Sequence, residues 1–450
     1  MTNLGLACRT LLKTPVVSAV AVVSLALGIG SNAAIFSLFN QVLLRPLPVS
    51  HPASLVNLAA PGQKPSSDSC NNAGGCDEVF SHPMFRDLQR EQTVFTDLVA
   101  HRSFGINVGY RGRTLSGEGM GVSGSYFPTL GLTPAAGRLF GPEVDTPIGG
   151  HSVAVLGYDF WQNELAGTPD VIGDALIVNG EPLTVIGVAP DGFRGTTIST
   201  RPVLFVPLTM GDMVSGSLKR FDNRTNYWLY LFGRLEPGVS LTQARVRLEP
   251  RYQNILSSVE APLQTNMSDA TMARFISKPL PMADGRRGQS SLAEDATAPL
   301  LLLFALTGIV ILIACANVAN LLLARAASRA SEMAIRLSVG ALHRHLLAQL
   351  LTESCLLAFV AGLAGLVVGQ WTLRAISWFL PPQASDVLQL SLDPGAVVFT
   401  LGLSLVTGLL FGLFPALHNT RSELVSTLKD QAGQAGGARH NWRPNPVSRA

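Results

Sequence analysis

Between Asp295 and Arg325 the chain carries no charged residue. A helix rises about 1.5 Å per residue, so an apolar run of that length crosses the roughly 30 Å hydrocarbon layer of a bilayer. A second charge-free run extends from Pro15 to Arg45. Two shorter apolar runs lie between Glu353 and Arg374 and between Gly395 and Leu417. The expected fold class is therefore a multi-pass α-helical membrane protein with four transmembrane helices, carrying a large α+β extracytoplasmic domain between helices 1 and 2.

Composition agrees. Of 450 residues, 47% are hydrophobic and only 14% are charged, and the mean hydropathy is positive, too apolar for an ordinary soluble protein of this length. The net charge of +3 is small and dispersed, so nothing marks a nucleic-acid footprint. The first run is longer than the apolar stretch of about 7–15 residues in a secretion signal, which favours a permanent span over a leader cleaved after Ala33 or Ala34.

The reading along the chain assigns 1–15 to an amphipathic N-terminal segment at the cytoplasmic surface and 16–44 to the first span. Residues 45–297 form the extracytoplasmic domain, 298–324 the second span and 325–345 a charged loop. The third span covers 346–373, a short external loop 374–394, the fourth span 395–418, and a basic tail 419–450. From 47 onward Gly, Pro, Asn and Asp punctuate short β-rich runs. Asn179-Gly180, flanked by apolar runs, is a hairpin signal; Arg201 to Leu208 and Trp228 to Leu235 read as strands, and Phe85 to Val99 and Leu241 to Val259 show helical periodicity.

Positive charge flanks the starts of spans one and three and the ends of two and four, while Arg374 to Asp393 carries one arginine against two aspartates. By the positive-inside rule both termini are cytoplasmic; the arginines of the large domain do not count against this, since the rule weakens beyond about 60 residues of loop. In the charged loop Arg325, Arg329, Glu332 and Arg336 recur at a spacing that stacks them on one face of a short helix, with Ala327, Ala330, Ala334 and Leu337 opposite and Gly340 at its end. Such a face serves either as a solvated anchor of topology or as a docking surface.

Ala361, Gly365 and Gly369 in the third span, and Ser404, Gly408 and Gly412 in the fourth, repeat every fourth residue. Small-residue stripes let helix backbones approach, so these faces are expected to pack on other spans, of this chain or of a second copy. Asn317 and Asn320 lie in the second span, where amides are costly unless bonded across helices, and are expected to hold the bundle together. Glu353, with Gln349 and Thr352, sits at the cytoplasmic mouth of span three. Cys8, Cys315 and Cys355 lie in or beside spans, whereas Cys70 and Cys76 flank a Gly/Asn-rich loop. An oxidised pair there, two free thiols, or a zinc site using His82 are the three readings, in that order.

Catalytic signatures are missing from the sequence. Gly119 to Gly124 matches G-x-G-x-x-G, but Pro128 interrupts the helix that a dinucleotide site needs. None of the five lysines follows a glycine, so no P-loop exists. G-x-S-x-G, H-E-x-x-H and a coherent pair of acids are also absent. The expectation is no enzyme, no cofactor and no metal in this chain.

The wording from Ala316 to Leu357, "ANVANLLLARAASRASEMAIRLSVGALHRHLLAQLLTESCLL", closely resembles the cytoplasmic-loop region of the MacB/FtsX family of ABC transporter permeases. Val122 to Phe140, Val153 to Phe193 and Tyr230 to Leu248 look like that family's periplasmic core domain. The stretches from Ser69 to Leu98 and from Phe414 to Gln434 look most like the first half of its duplicated (ADOP-type) permeases. The resemblance implies an inner-membrane permease subunit that transmits force from a separate cytoplasmic ABC ATPase, which binds the ATP, to the periplasmic domain for efflux or envelope-substrate handling. It makes Arg325, Arg329, Glu332, Met333, Arg336, Gly340, Arg344 and Glu353 the candidate ATPase-coupling residues and 124–208 an inserted lobe of the domain. It also implies membrane lipid, a second permease half or a homodimer, and a periplasmic adaptor or outer-membrane channel as partners. The alternatives are a ligand-sensing membrane receptor, a membrane-anchored periplasmic enzyme, or a truncated half of a longer permease.

Overall fold

The computed structural model describes residues 5, 11–12, 15–62, 64, 67–71, 73–198, 200–215, 221–264, 267–328, 343–379 and 391–419. The chain divides into two units, one of Met1–Leu38, Leu301–Phe379 and Leu390–Ala450, the other of Phe39–Leu300 and Leu380–Gln389. The principal helices are α1 (Pro15–Phe39), α2 (His82–Glu91), α3 (Tyr126–Leu130), α4 (Tyr158–Glu164), α5 (Gly211–Ser215), α6 (Leu241–Ile255), α7 (Asp269–Ile276), α8 (Ser291–Ser328), α9 (His343–Phe379) and α10 (Pro394–Asn419). The strands are β1 (Leu55–Leu58), β2 (Ser67–Asp68), β3 (Phe95–Tyr110), β4 (Arg113–Val122), β5 (Ala136–Gly137), β6 (Val153–Leu156), β7 (Ala175–Val178), β8 (Glu181–Val188), β9 (Pro202–Pro207), β10 (Asn226–Tyr227), β11 (Tyr230–Leu235) and β12 (Met282–Asp284).

The first unit is helical. Among the described residues three helical stretches, Pro15–Leu44, Asp295–Leu321 and Ala348–Phe379, are long and apolar enough to cross a membrane, and α10 adds a further apolar helix. The long stretch of α8 exposes Leu302, Leu306, Ile309, Leu312 and Ile313, a surface suited to lipid rather than water. Most of the N-terminal segment, most of the charged loop, the external loop around Pro381-Pro382 and the basic tail lie outside the described residues.

The second unit is built on one mixed sheet of ten strands in the order β12-β1-β11-β3-β4-β9-β6-β8-β5, with β7 pairing both β3 and β8. Its spine is β3, sixteen residues long, paired antiparallel to β11 on one side and to β4 on the other. Side chains alternate across a strand, and the burial follows that rule. Leu98, Ala100, Ala154, Leu156, Leu204 and Val206 enter one core with α2 and α6. Their neighbours Val99, Val155 and Phe205 enter a second core with Tyr126, Phe127 and Phe140 on the opposite face. The domain is thus a sheet covered on both sides.

Local chemistry sets the boundaries. Asn179 and Gly180 have φ of 49° and 92° and close the β7–β8 hairpin, the left-handed pair that a two-residue turn requires. Ser81 caps α2 by accepting from the Met84 amide, and Ser240 with Gln243 forms a capping box on α6. The helical reading of Phe85 to Val99 is corrected: α2 stops at Glu91 and β3 begins at Phe95. Gln92 Oε1 accepts from the amides of Val94 and Phe95, and that side chain turns the chain where periodicity alone suggested continuation. The residues expected to form an inserted lobe supply β9, β6, β8 and β5, one end of the same continuous sheet.

At the centre of β3, His101 is fully buried between Tyr230 of β11 and Val122 of β4. Its Nε2 donates to Gln289 Oε1 at 2.8 Å, and its Nδ1 has no partner. Burial lowers its pKa from the ordinary 6.5 to about 4, against the opposing hydrogen bond from Gln289. A charged ring would strand both a charge and an N–H in the core.

Above pH 6.5 the ring is neutral folded and unfolded, so stability is untouched; between 6.5 and 4 only the unfolded chain gains the proton, and stability falls. At about 1.4 kcal/mol per pKa unit the loss approaches roughly 3 kcal/mol by pH 4. We expect the urea midpoint of the detergent-solubilised chain, followed by Trp fluorescence, to drop across this window and to drop less steeply for His101→Asn. Equal slopes would show that His101 does not carry the effect.

Candidate functional site

In the helical unit α1 and α9 approach each other closely. A Cβ placed on Gly30 would lie 2.6 Å from the Gly365 carbonyl oxygen and 2.8 Å from Val368 Cβ, and one on Gly365 would lie 3.3 Å from the Gly30 amide. Any side chain at Gly30 would push the helices apart. Ala361 is fully buried in the cluster that contains Leu25 and Ile29, and a Cβ on Gly369 would lie 3.1 Å from the Gly30 carbonyl oxygen and 3.6 Å from Ala33 Cβ. The Ala361, Gly365 and Gly369 stripe therefore faces α1 of its own chain.

The second stripe faces α9. Ser404 is buried and lies directly opposite Gly362, Gly408 approaches Cys355 and Ala358, and Gly412 approaches Leu351 and Ser354. Phe36 of α1 stacks flat on Phe399 of α10, with centroids 4.2 Å apart, and Ser37 donates to the Ser391 carbonyl at 3.2 Å.

Asn317 and Asn320 are exposed, and their reading as bundle-holding amides is corrected for the contacts of this chain. The inward face of α8 carries Ile311, Ala314 and Val318; at about 100° per residue Asn320 points nearly opposite and Asn317 about a quarter turn away. The amide that does bridge two helices is Asn32, which sequence reasoning passed over. It donates to the Gly28 carbonyl at 2.9 Å and to the Thr307 carbonyl of α8 at 2.8 Å, and it accepts from Thr307 Oγ1 at 3.2 Å. Its signal was an amide inside the first charge-free run, beside two glycines.

Of the coupling candidates, Arg325 falls in the last turn of α8 and Arg344 in the first turn of α9. Glu353 is half-buried and accepts from Gln349 Nε2 at 3.2 Å. Arg329, Glu332, Met333, Arg336 and Gly340 lie outside the described residues.

In the sheet unit, α1 continues through a wide helical turn, Asn40–Leu44, and the segment beyond it is tied to the segment that precedes α8. The Leu47 amide donates to the Arg286 carbonyl at 2.8 Å, and the Arg287 guanidinium donates to the Leu43 carbonyl. Two residues on, Gln289 donates its amide to the Thr196 carbonyl at 2.8 Å and its side chain accepts from His101. The two strands of chain that enter and leave this domain are thus fastened to each other and to its central strand.

Cys70 and Cys76 are joined in a disulfide, with Cα atoms 4.9 Å apart. The bridged loop is held on the sheet by Tyr230, whose hydroxyl accepts from the Asn71 amide at 2.9 Å and donates to the Gly74 carbonyl at 2.8 Å. His82 belongs elsewhere: its Nδ1 donates to the Phe221 carbonyl. Among the described residues no group of three His, Cys, Asp or Glu side chains is arranged to hold a metal ion. A separate ionic node lies under α2, where Arg224 bridges Asp87 at 2.7 Å and Glu260 at 2.8 Å. Burial pushes the Glu260 carboxyl above its usual range and the Arg224 hydrogen bond opposes it.

Helices able to span a bilayer, with one large two-sided sheet domain between the first and second, define an integral membrane protein with a single major domain outside the membrane. The chain belongs to the MacB/FtsX-type family of ABC exporter permeases: residues 18–251 match the MacB-like periplasmic core domain and residues 304–424 the FtsX-like permease C-terminal region. It is accordingly an inner-membrane protein with a periplasmic domain. It is 26% identical over 314 residues to the pyoverdine export ATP-binding/permease protein PvdT of Pseudomonas syringae pv. tomato, covering 69% of this chain and 43% of that one. It is 25% identical over 335 residues to the macrolide export ATP-binding/permease protein MacB of Escherichia coli, covering 72% and 45%. The chain thus spans less than half the length of these curated relatives. The crystal structure of the periplasmic region of MacB from Actinobacillus actinomycetemcomitans aligns over 52% of this chain and 90% of that one, at 14% identity and a TM-score of 0.36.

The packing geometry gives a direct test. Disulfides form at Cβ separations of about 3.5–4.5 Å, so Ala33→Cys with Gly369→Cys, in a chain whose Cys8, Cys315 and Cys355 are replaced by Ser, should cross-link under mild oxidation. Adding Gly30→Leu should reduce the linked peptide, measured by mass spectrometry, at least fivefold. An unchanged yield would mean that Gly30 does not set the α1–α9 distance.

Proposed function

We propose that this chain is the permease part of an ABC-type exporter that transmits force rather than forming a passive tunnel. ATP binding and hydrolysis reside outside this chain, on a cytoplasmic ATPase acting in trans. Its motion enters through the basic segment Arg325 to Arg344 and reaches the periplasmic domain along α1 and α8. The observation that carries this reading is the joint match to a periplasmic core domain and a permease region in one chain; the absence of a P-loop from the sequence is in keeping with it.

In this reading α10 is a fourth span and both termini are cytoplasmic, supported by the Lys/Arg distribution around the apolar runs. The periplasmic domain handles the cargo, and a second permease copy or half completes the assembly. The relatives are named for pyoverdine and macrolide export; the cargo here is taken to be an efflux or envelope substrate met on the periplasmic side.

Arg329→Glu combined with Arg336→Glu reverses the charge of the proposed docking face. A pull-down of the partner ATPase by the full chain should lose at least tenfold in yield, while membrane insertion is retained. Retained association would remove the docking role. Labelling of Ser328→Cys by a membrane-impermeant maleimide from the periplasmic side would overturn the orientation itself.

A further inference from the structure

The sheet unit contains a cavity of about 180 Å³ that none of the roles above uses. That is somewhat more than the approximately 150 Å³ cavity that accepts a benzene ring. Its wall is divided by chemistry. Phe85, Ile148 and Leu208 are apolar; Arg86, Asp145 and His82 are polar.

The polar groups are fixed in different ways. Asp145 is held by the Gly124 amide, which donates to its Oδ1 at 2.8 Å. Its Oδ2 stands 3.8 Å from Arg86 Nη1, beyond hydrogen-bonding distance, so the two charges face each other without a direct bond. Arg86 is half exposed and donates to Gln89 on its own helix, leaving further guanidinium donors available. His82 donates from Nδ1 to the Phe221 carbonyl, which leaves Nε2 as an acceptor in the neutral ring. Burial holds that ring neutral by lowering its pKa to about 4.

From these groups we infer that the cavity is a binding site for a small zwitterion of the α-amino acid class with an apolar side chain, its carboxylate on Arg86, its ammonium on Asp145 and its side chain among Phe85, Ile148 and Leu208. One guanidinium, one carboxylate and a neutral imidazole sum to no net charge, so a ligand bearing a single charge leaves one wall charge unmatched. A ligand that carries its ammonium and its carboxylate on one carbon can face both wall groups, 3.8 Å apart, at once and replaces a loose ion pair by two direct ones. Burial pushes the Asp145 carboxyl up, and a bound ammonium would draw it back. This site stands independently of the permease reading and needs neither ATPase nor cargo.

The test is calorimetric titration of the full chain in lipid nanodiscs with L-leucine, N-acetyl-L-leucine and L-leucinamide. L-leucine should bind saturably at one site per chain, and each analogue, lacking one charge, at least tenfold more weakly. Asp145→Asn, which keeps an oxygen for the Gly124 amide, should weaken leucine at least tenfold while leaving N-acetyl-leucine unchanged. Arg86→Gln, at a half-exposed position, should weaken leucine and leave leucinamide unchanged. No saturable heat with leucine, equal affinity for the singly charged analogues, or leucine binding indifferent to both substitutions at unchanged melting temperature would overturn the assignment.

Discussion

The helical unit is held by close backbone approach, seen most directly where Gly30 meets Gly365. Helices in lipid gain nothing from leaving water, because the tails around them are as apolar as their own side chains; what holds them is close packing and hydrogen bonds between them. Gly30 and Gly365 remove the side chains that would separate α1 from α9. The same stretch of α1 then bonds to α8 through Asn32 and Thr307, where an unmet amide would be costly. A third contact, the flat stack of Phe36 on Phe399, engages α10. Within about two turns α1 thus meets three other helices, Gly30 on one face and Asn32 with Phe36 on the other.

The sheet unit solves a different problem. Its strands are covered on both faces, so nearly every inward position must be apolar, and the exceptions are informative. His101 sits where an apolar residue would be expected, and its neutral ring reaches Gln289 just ahead of α8. A hydrogen bond aimed at one partner fixes register in a way that interchangeable aliphatic contacts do not. Arg224 does the same under α2, clamping the helix to the end of the segment that follows α6 through two carboxylates. One guanidinium at Arg234 likewise holds the turn at His51 and Ser54 and the end of α3.

Features with a short-range cause could be read from the residues alone. Charge-free runs gave the apolar helices, and Asn179-Gly180 gave the hairpin, because the preference sits in two or three consecutive side chains. The stripe at Ala361, Gly365 and Gly369 showed in spacing, although its partner did not. Features whose cause lies across the fold did not show. Nothing near Asn32 in the sequence names Thr307, and nothing near Arg224 names both Asp87 and Glu260. Asn317 and Asn320 misled for a related reason: the polar residues were visible, but the direction of α8's inward face is set by packing and not by α8 itself. The end of α2 was missed because Gln92 uses its side chain to bond the amides two and three residues ahead, a choice that apolar periodicity does not register.

These properties bear on how a domain of this kind could be driven. Under the proposed function the load arrives where the chain leaves α1 and where it enters α8, and a domain attached there by two free strands would let them slide past each other. The Leu47–Arg286 and Arg287–Leu43 hydrogen bonds join those strands, and the Gln289–His101 bond carries the join into β3. From β3 every strand of the sheet is reached through at most a few backbone ladders. Backbone ladders share displacement among many bonds, and the close-packed cores on both faces of the sheet transmit strain rather than absorb it. A displacement applied where the chain enters and leaves the domain would therefore move the sheet as one body, its far strands included, since β7 ties β8 directly to β3.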